Sequence, residues 1–287
     1  MSATAWHAAP SLPSHHLPVL HPFRPPAVAP PRLSGPDAAL LALAAALLVT
    51  TAHAQAPAAP AGSPLAVIAR WAPLLLTGFG FNLLISFAAM SLGTLAGTAL
   101  GLAQLGPYAP VRKLAWALTQ FFRNAPWLVL LFFAMFLIPF QVRIGGTTVP
   151  LPDWLKAIIG FALPVMANVS EIVRGAVRSV PTTQWEAADS LAFTPRQTMW
   201  MIILPQCVKR MLPPWMNVYS LVTMATVQAS IVGVTEMLTL TAQVHAAEGG
   251  RPELFAPLYG FALLCFFLYC YPIDLLTRRL ERRWEVR

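Results

Sequence analysis

W-A-P-L-L-L-T-G-F-G-F-N-L-L-I-S-F-A-A-M-S-L-G-T-L-A-G-T-A-L-G-L-A-Q-L-G-P-Y-A-P-V, residues Trp71–Val111, runs for 41 residues without a charged side chain. As one helix it would reach ~60 Å, about twice the hydrocarbon core of a bilayer. It is therefore one span with interfacial ends or a hairpin of two. The flanking charges choose between them. With Arg70 outside, one crossing brings Arg112 and Lys113 to the inner side, where basic residues accumulate, and two crossings would leave them outside. The reading is one span, about Leu76–Leu102. Gly93, Gly97 and Gly101 recur every four residues along it, which makes a smooth stripe that a second helix can approach closely. Glycine is also simply common in membrane helices.

The rest of the chain fits the same environment. It is 57% hydrophobic and 10% charged over 287 residues, against roughly 25% charged in an average soluble domain. Such a surface belongs in lipid. Cys207, Cys265 and Cys270 have no metal-ligand spacing and read as packing residues. The histidines lie mostly near the amino end and form no catalytic cluster. Residues 1–36 are rich in proline, alanine and serine and are expected to be disordered. Segment 37–54 ends in Ala52-His53-Ala54 and is either a signal-like sequence cleaved after Ala54 or a short uncleaved span. Residues 55–70 read as a linker, and 71–287 as the membrane domain.

Four further spans are expected. Trp127–Phe140 follows F-F-R-N-A-P, with Pro126 opening a fresh helical stretch. Arg143, Asp153 and Lys156 then fall in a short outer loop around Gly145-Gly146. Ala157–Val177 carries Asn168, Ser170, Glu171 and Arg174, and ionisable groups at membrane depth are costly. Glu171 and Arg174 are three apart and can pair on one helix face, either as structure or beside a substrate. Trp215–Leu238 is polar in its middle, with Thr223, Thr226 and Ser230 on one face suited to interhelical hydrogen bonds or to a polar pathway. Glu236 ends that span, and Leu254–Leu276 is the last.

The basic residues then sort themselves. Eleven fall inside: Arg112, Lys113, Arg178, Arg196, Lys209, Arg210 and five arginines at the carboxyl end. Three, Arg143, Lys156 and Arg251, fall in outer loops. This asymmetry orients the chain and accounts for its net charge of +8 without any nucleic acid. The fold class is an all-α integral membrane protein with five core spans, amino end out and carboxyl end in.

Between spans three and four lies the cytosolic loop 178–213, which holds the most polar punctuation in the chain. Thr183 and Glu186 have capping-box spacing, and Thr194-Pro195-Arg196-Gln197 repeats the device with Pro195 at the first helical position. Pro205 is expected to stop the second helix. A helix, an elbow and a second helix hung between two spans imply a partner.

The lettering of this loop resembles a known family. E-A-A-x-x-L from Glu186 to Leu191, followed by I-L-P-Q from Ile203, resembles the E-A-A loop of ABC importer permeases of the polar amino acid uptake group. Matching patches are F-R-N-A-P from Phe122, E-I-V-R-G from Glu171, P-x-x-N ending at Asn217, I-V-G-V-x-E ending at Glu236 and R-L-E-R-R ending at Arg283. The resemblance implies that Glu186, Ala187, Ala188, Leu191, Ala192 and Pro205 belong to a coupling helix that docks on a cytosolic ATPase dimer. It also implies a periplasmic solute-binding protein and a second permease, identical or a sister chain, in the lipid bilayer. ATP and magnesium would be held by the ATPase, because this chain has no phosphate-binding loop and is not expected to be an enzyme. Two departures stand out: Ala192 occupies a position that is usually glycine, and Met224-Ala225 replaces a lysine-aspartate pair common among relatives. Arg123, Asn168, Glu171, Thr226 and Gln228 are the candidate pathway residues. The alternative is an ion-gradient-driven secondary carrier, which would call for an inverted repeat and a buried acidic ion site.

Overall fold

The computed structural model describes residues 63–284 apart from 145–146. The expected tail, the signal-like segment and most of the linker lie outside the described residues. Helix α1 (Pro64–Leu105) begins inside the stretch read as linker. Ser63 caps it and Pro64 opens it, where a missing N–H costs nothing. It runs unbroken for 42 residues and ends at Leu105, before the end of the charge-free stretch. Gly106-Pro107 turns the chain into α2 (Ala109–Asn124), and Ala125-Pro126 turns it again into α3 (Trp127–Leu137).

The α2–α3 junction is bent by 106°. The span expected over Trp127–Phe140 is thus not a straight crossing, since α3 has 11 residues and reaches only ~16 Å. The expectation of an all-α chain also needs correction. Strands β1 (Gln141–Ile144) and β2 (Thr147–Pro150) form an antiparallel hairpin, pairing Val142 with Val149 and Arg143 with Thr148. β-Branched residues on either side of a Gly-Gly dipeptide favour that outcome.

Helix α4 (Asp153–Arg178) starts earlier than expected and takes Asp153 and Lys156 out of the loop. Lys156 is fully buried. Its Nζ lies 3.3 Å from Asp153 Oδ1 and 3.3 Å above the Phe140 ring, so an ion pair and a cation–π contact replace its water. Helix α5 (Thr182–Ser190) follows. After the elbow, α6 (Pro195–Val232) is one rod in four segments: α-helical Pro195–Gln197, π-helical Thr198–Ile203, α-helical Leu204–Ala225 and 3₁₀-helical Thr226–Val232. Pro205 therefore does not stop a helix. The wide π turn just before it relieves the clash that its ring would make with the preceding turn.

The fourth span also departs from expectation. Gly233, at φ 90°, ends the rod, and Glu236 starts α7 (Met237–Ala247) by accepting the Thr239 N–H at 2.9 Å. Glu236 therefore begins a helix instead of ending one. Because residues 226–232 are 3₁₀-wound, Ser230 does not share the α-helical face of Thr223 and Thr226. Helix α8 (Pro252–Trp284) completes the described chain and carries Arg278, Arg279, Arg282 and Arg283 at its end. By length and composition α1, α4 and α8 are able to cross a membrane, and the bent pairs α2–α3 and α6–α7 raise the number to five if each counts as one span.

Helices α1 and α4 form the centre. A Cβ on Gly97 would lie 2.6 Å from Met166 O and 2.8 Å from Val169 Cβ, and one on Gly101 would lie 2.8 Å from Ser170 O. The glycine stripe is thus the seam that lets α4 lie against α1. The main core gathers Ile85, Met90, Leu131, Phe161, Val165, Val169 and Val222 around it.

Candidate coupling elbow and polar cavity

The polar loop folds as a helix with a left-handed exit. Leu191 closes α5, its N–H donating to Ala187 O at 3.2 Å and to Ala188 O at 3.1 Å. Ala192 takes φ 57°. Its N–H donates to Asp189 O at 2.9 Å, and the Phe193 N–H reaches back to Ala188 O at 3.1 Å. Those two bonds make a Schellman motif, which favours glycine at the position Ala192 holds. Ala192 is the one non-glycine residue with positive φ among the described residues. The elbow needs the left-handed residue that glycine would supply, and alanine meets the need at a cost of about 1 kcal/mol.

The caps divide. Thr194 and Gln197 form the expected capping box, with Thr194 N–H donating to Gln197 Oε1 at 2.9 Å. Thr183 and Glu186 do not, because α5 already begins at Thr182 behind Pro181 and Thr183 sits inside the first turn. The Glu186 carboxylate is left exposed, with no hydrogen-bond or ion-pair partner among the described residues. Ala187 and Leu191 are exposed beside it. Ala188 is not. The resemblance placed both alanines on the docking helix, yet successive helix positions lie about 100° apart. Ala188 faces inward and is buried where α5 meets the π turn of α6.

Two contacts brace the elbow to the membrane helices. Gln206 Nε2 donates to Gln184 Oε1 at 3.4 Å, which joins α6 to α5. Arg210 Nη1 donates to Ser179 O at 2.6 Å and to Ser179 Oγ at 2.7 Å, which joins α6 to the end of α4. Behind this brace opens a cavity of about 470 Å³, whose lining includes Arg123, Asn168, Glu171, Ser179, Arg210 and Asn217. Arg174 donates to Glu171 through Nε at 3.1 Å and also through Nη2, so the expected pair exists. Arg123 Nη1 approaches the same carboxylate at 3.6 Å. Asn168 Nδ2 donates to Pro164 O at 2.8 Å.

Three of the five candidate pathway residues thus share one cavity, and two do not. Thr226 is fully buried and accepts from Asn82 Nδ2 at 3.0 Å. The same Nδ2 donates to Glu236 Oε2 at 3.0 Å, and Asn82 Oδ1 accepts the Met237 N–H at 3.1 Å. Of the two roles open to the Thr223–Thr226 face, interhelical bonding is the one Thr226 fills. Gln228 lies outside the cavity, with no partner for its buried Oε1 among the described residues.

Residues 89–286 match the family model described as the binding-protein-dependent transport system inner membrane component. The chain belongs to that family. As an inner membrane component of such a transport system, it is a transport subunit and not an enzyme. It is 34% identical to the Probable amino-acid ABC transporter permease protein YckA of Bacillus subtilis (strain 168), over 74% of this chain and 89% of that protein. It is 28% identical to the Glutamate/aspartate import permease protein GltK of Escherichia coli O157:H7, over 74% of this chain and 93% of the relative. Its fold is similar to that of a chain in the crystal structure of an amino acid ABC transporter with histidines. The TM-score is 0.66 at 23% identity, with 78% of this chain and 99% of that chain covered.

Sequence reasoning missed several residues of this transport subunit. Arg210 had been read only as an inner-rim charge and Asn217 only as part of P-x-x-N, yet both line the cavity. Asn82 was passed over because nothing near it is charged. A lone amide in an apolar helix was itself the signal, since it must find a partner at membrane depth.

Proposed function

We propose that the chain is one of two permeases forming the translocation path of a bacterial inner-membrane ABC importer for a polar amino acid or a related small solute, moved from periplasm to cytoplasm. The observation that carries this reading is the double role of Arg210 and Ser179. They line the polar cavity and also tie α4 to α6 beside the elbow. A push on α5 is felt at Gln184 and Ala188, is passed to α6, and changes the width of the cavity through the Arg210–Ser179 bond. Glu186, Ala187 and Leu191 form the exposed side that meets the ATPase dimer, with Ala192 and Pro205 shaping the chain that follows it.

The cavity suits the proposed solute. Arg123 is half-exposed and can meet a carboxylate, while Glu171 and Asn168 can meet an ammonium or amide group. The similarity to the amino-acid permease YckA and the glutamate/aspartate permease GltK supports amino acids as the substrate class. In this reading the spans number five, the elbow faces the cytosol, and a binding protein delivers solute on the opposite side. ATP and magnesium sit in the ATPase chains, and a second permease, identical or a sister chain, closes the path.

The test is reconstitution in liposomes with the ATPase and binding protein from the same operon. Uptake of labelled amino acids should require internal ATP and both partners, and Arg123→Ala should lower uptake without loss of complex assembly. Uptake driven by an ion gradient in the absence of the ATPase would overturn the reading.

A further inference from the structure

A second, smaller cavity lies between the end of α1, the start of α2 and the end of α4. It has a volume of about 250 Å³ and is lined by Gln104, Arg112, Lys113, Trp116, Arg174 and Arg178. Four of its six lining residues are cations, and none is a carboxylate. Arg174 is engaged by Glu171, and Arg112 donates to Gly106 O at 3.2 Å. Lys113 and Arg178 have no carboxylate partner within ion-pair distance among the described residues. Arg112, Lys113 and Arg178 are exposed, so their charges are open to an anion that enters the cavity.

The back of the cavity adds a second feature. Gln104 is buried and donates through Nε2 to Thr119 Oγ1 at 2.9 Å and to Ser170 Oγ at 2.6 Å. Its Oε1 is buried, with no partner among the described residues. The Gln104 amide thus closes the back of the cavity, and a ligand that fills it should bring an anion for the cations.

The surroundings say where that ligand comes from. Helix α2 buries only Ala115 and Thr119, and it leaves Val111, Leu114, Trp116, Leu118 and Phe121 uncovered by protein. A helix with bare apolar residues and a basic first turn, bent sharply from its successor, has the character of an interfacial helix at headgroup depth.

We propose that this cavity binds the phosphate of an anionic phospholipid headgroup, in the leaflet on the elbow side. The phosphate oxygens accept from Lys113, Arg178 and the free donors of Arg112. The proposal rests on the cytosolic placement of this end, where basic pockets between spans meet anionic lipid. It is independent of the solute transported.

The test uses the permease purified with its ATPase, stripped of lipid and offered one probe at a time, with retained lipid counted by native mass spectrometry. Phosphatidylglycerol should be retained and should raise the melting temperature, and phosphatidylcholine should do neither. A Lys113→Ala/Arg178→Ala variant should lose phosphatidylglycerol affinity by roughly thirtyfold, the effect of two surface cations. Equal retention of phosphatidylcholine, or unchanged retention by the variant, overturns the proposal. Inorganic phosphate that stabilises lipid-free protein and displaces phosphatidylglycerol would assign the site to soluble phosphate instead. Lipid bound by the permease alone but expelled by the ATPase would make the cations a protein-docking patch and also overturn it. Labelling of Lys113→Cys by an impermeant thiol reagent from each side separates a failure of the assumed orientation from a failure of lipid binding.

Discussion

Ala192 holds a conformation that suits glycine. Its φ of 57° and the two Schellman bonds leave no other geometry for the elbow. Replacing it should therefore help. Ala192→Gly is expected to stabilise the purified permease by about 1 kcal/mol, read as a raised midpoint of thermal or denaturant unfolding, with transport retained. A lowered midpoint would mean that the alanine methyl makes a contact worth more than the strain. A second residue-scale prediction concerns Glu248, in the turn between α7 and α8. The Trp71 Nε1–H donates to it at 2.8 Å. That bond, and then the charges of Arg70 and Arg251, hold its carboxyl below the usual range, against a smaller opposing effect of burial. A lowered folded pKa gives stability that is complete above the ordinary glutamate value of about 4.3 and is lost as pH falls through the folded value. The stability gap between wild type and Glu248→Gln should thus be present at neutral pH and close only in that acidic window. A gap independent of pH would show that packing, not charge, is at work.

At the scale of elements, the α1–α4 seam rests on glycine. Gly97→Ala would place a methyl carbon within 3 Å of Met166 O and of Val169 Cβ, and neither helix can shift without disturbing Gly93 and Gly101 as well. A loss of about 1–3 kcal/mol follows. It should appear as poor recovery of folded protein in detergent, whereas Gly80→Ala, with open space around it, should behave as wild type. Recovery equal for both would count against the seam. This stripe was legible because a four-residue period survives in the letters. The break at Gly233 was less so. A run from Trp215 to Leu238 looks continuous by hydropathy, and only the buried partnership of Asn82 with Glu236 shows why a new helix starts there. That contact joins residues 154 positions apart, so no local pattern announces it. Glu186 was readable as a loop residue, but its missing cap was not. Two prolines, Pro181 and Pro205, each allowed a helix boundary, and tertiary packing decided that one begins a helix while the other is absorbed by a π turn.

For the whole molecule, the central claim is mechanical: α5 receives a push from an ATPase and the Arg210–Ser179 brace carries it to the polar cavity. Glu186 is exposed, and its carboxylate has no hydrogen-bond or ion-pair partner among the described residues. A change there should leave the permease folded and the complex idle. The direct measurement is binding-protein-stimulated uptake and ATP hydrolysis in the same proteoliposomes, comparing wild type with Glu186→Lys at equal permease content and equal melting temperature. Both rates are predicted to fall together by about tenfold or more, within the range of ordinary coupling energies. Unchanged uptake by Glu186→Lys, with the ATPase still bound and active, would contradict the account.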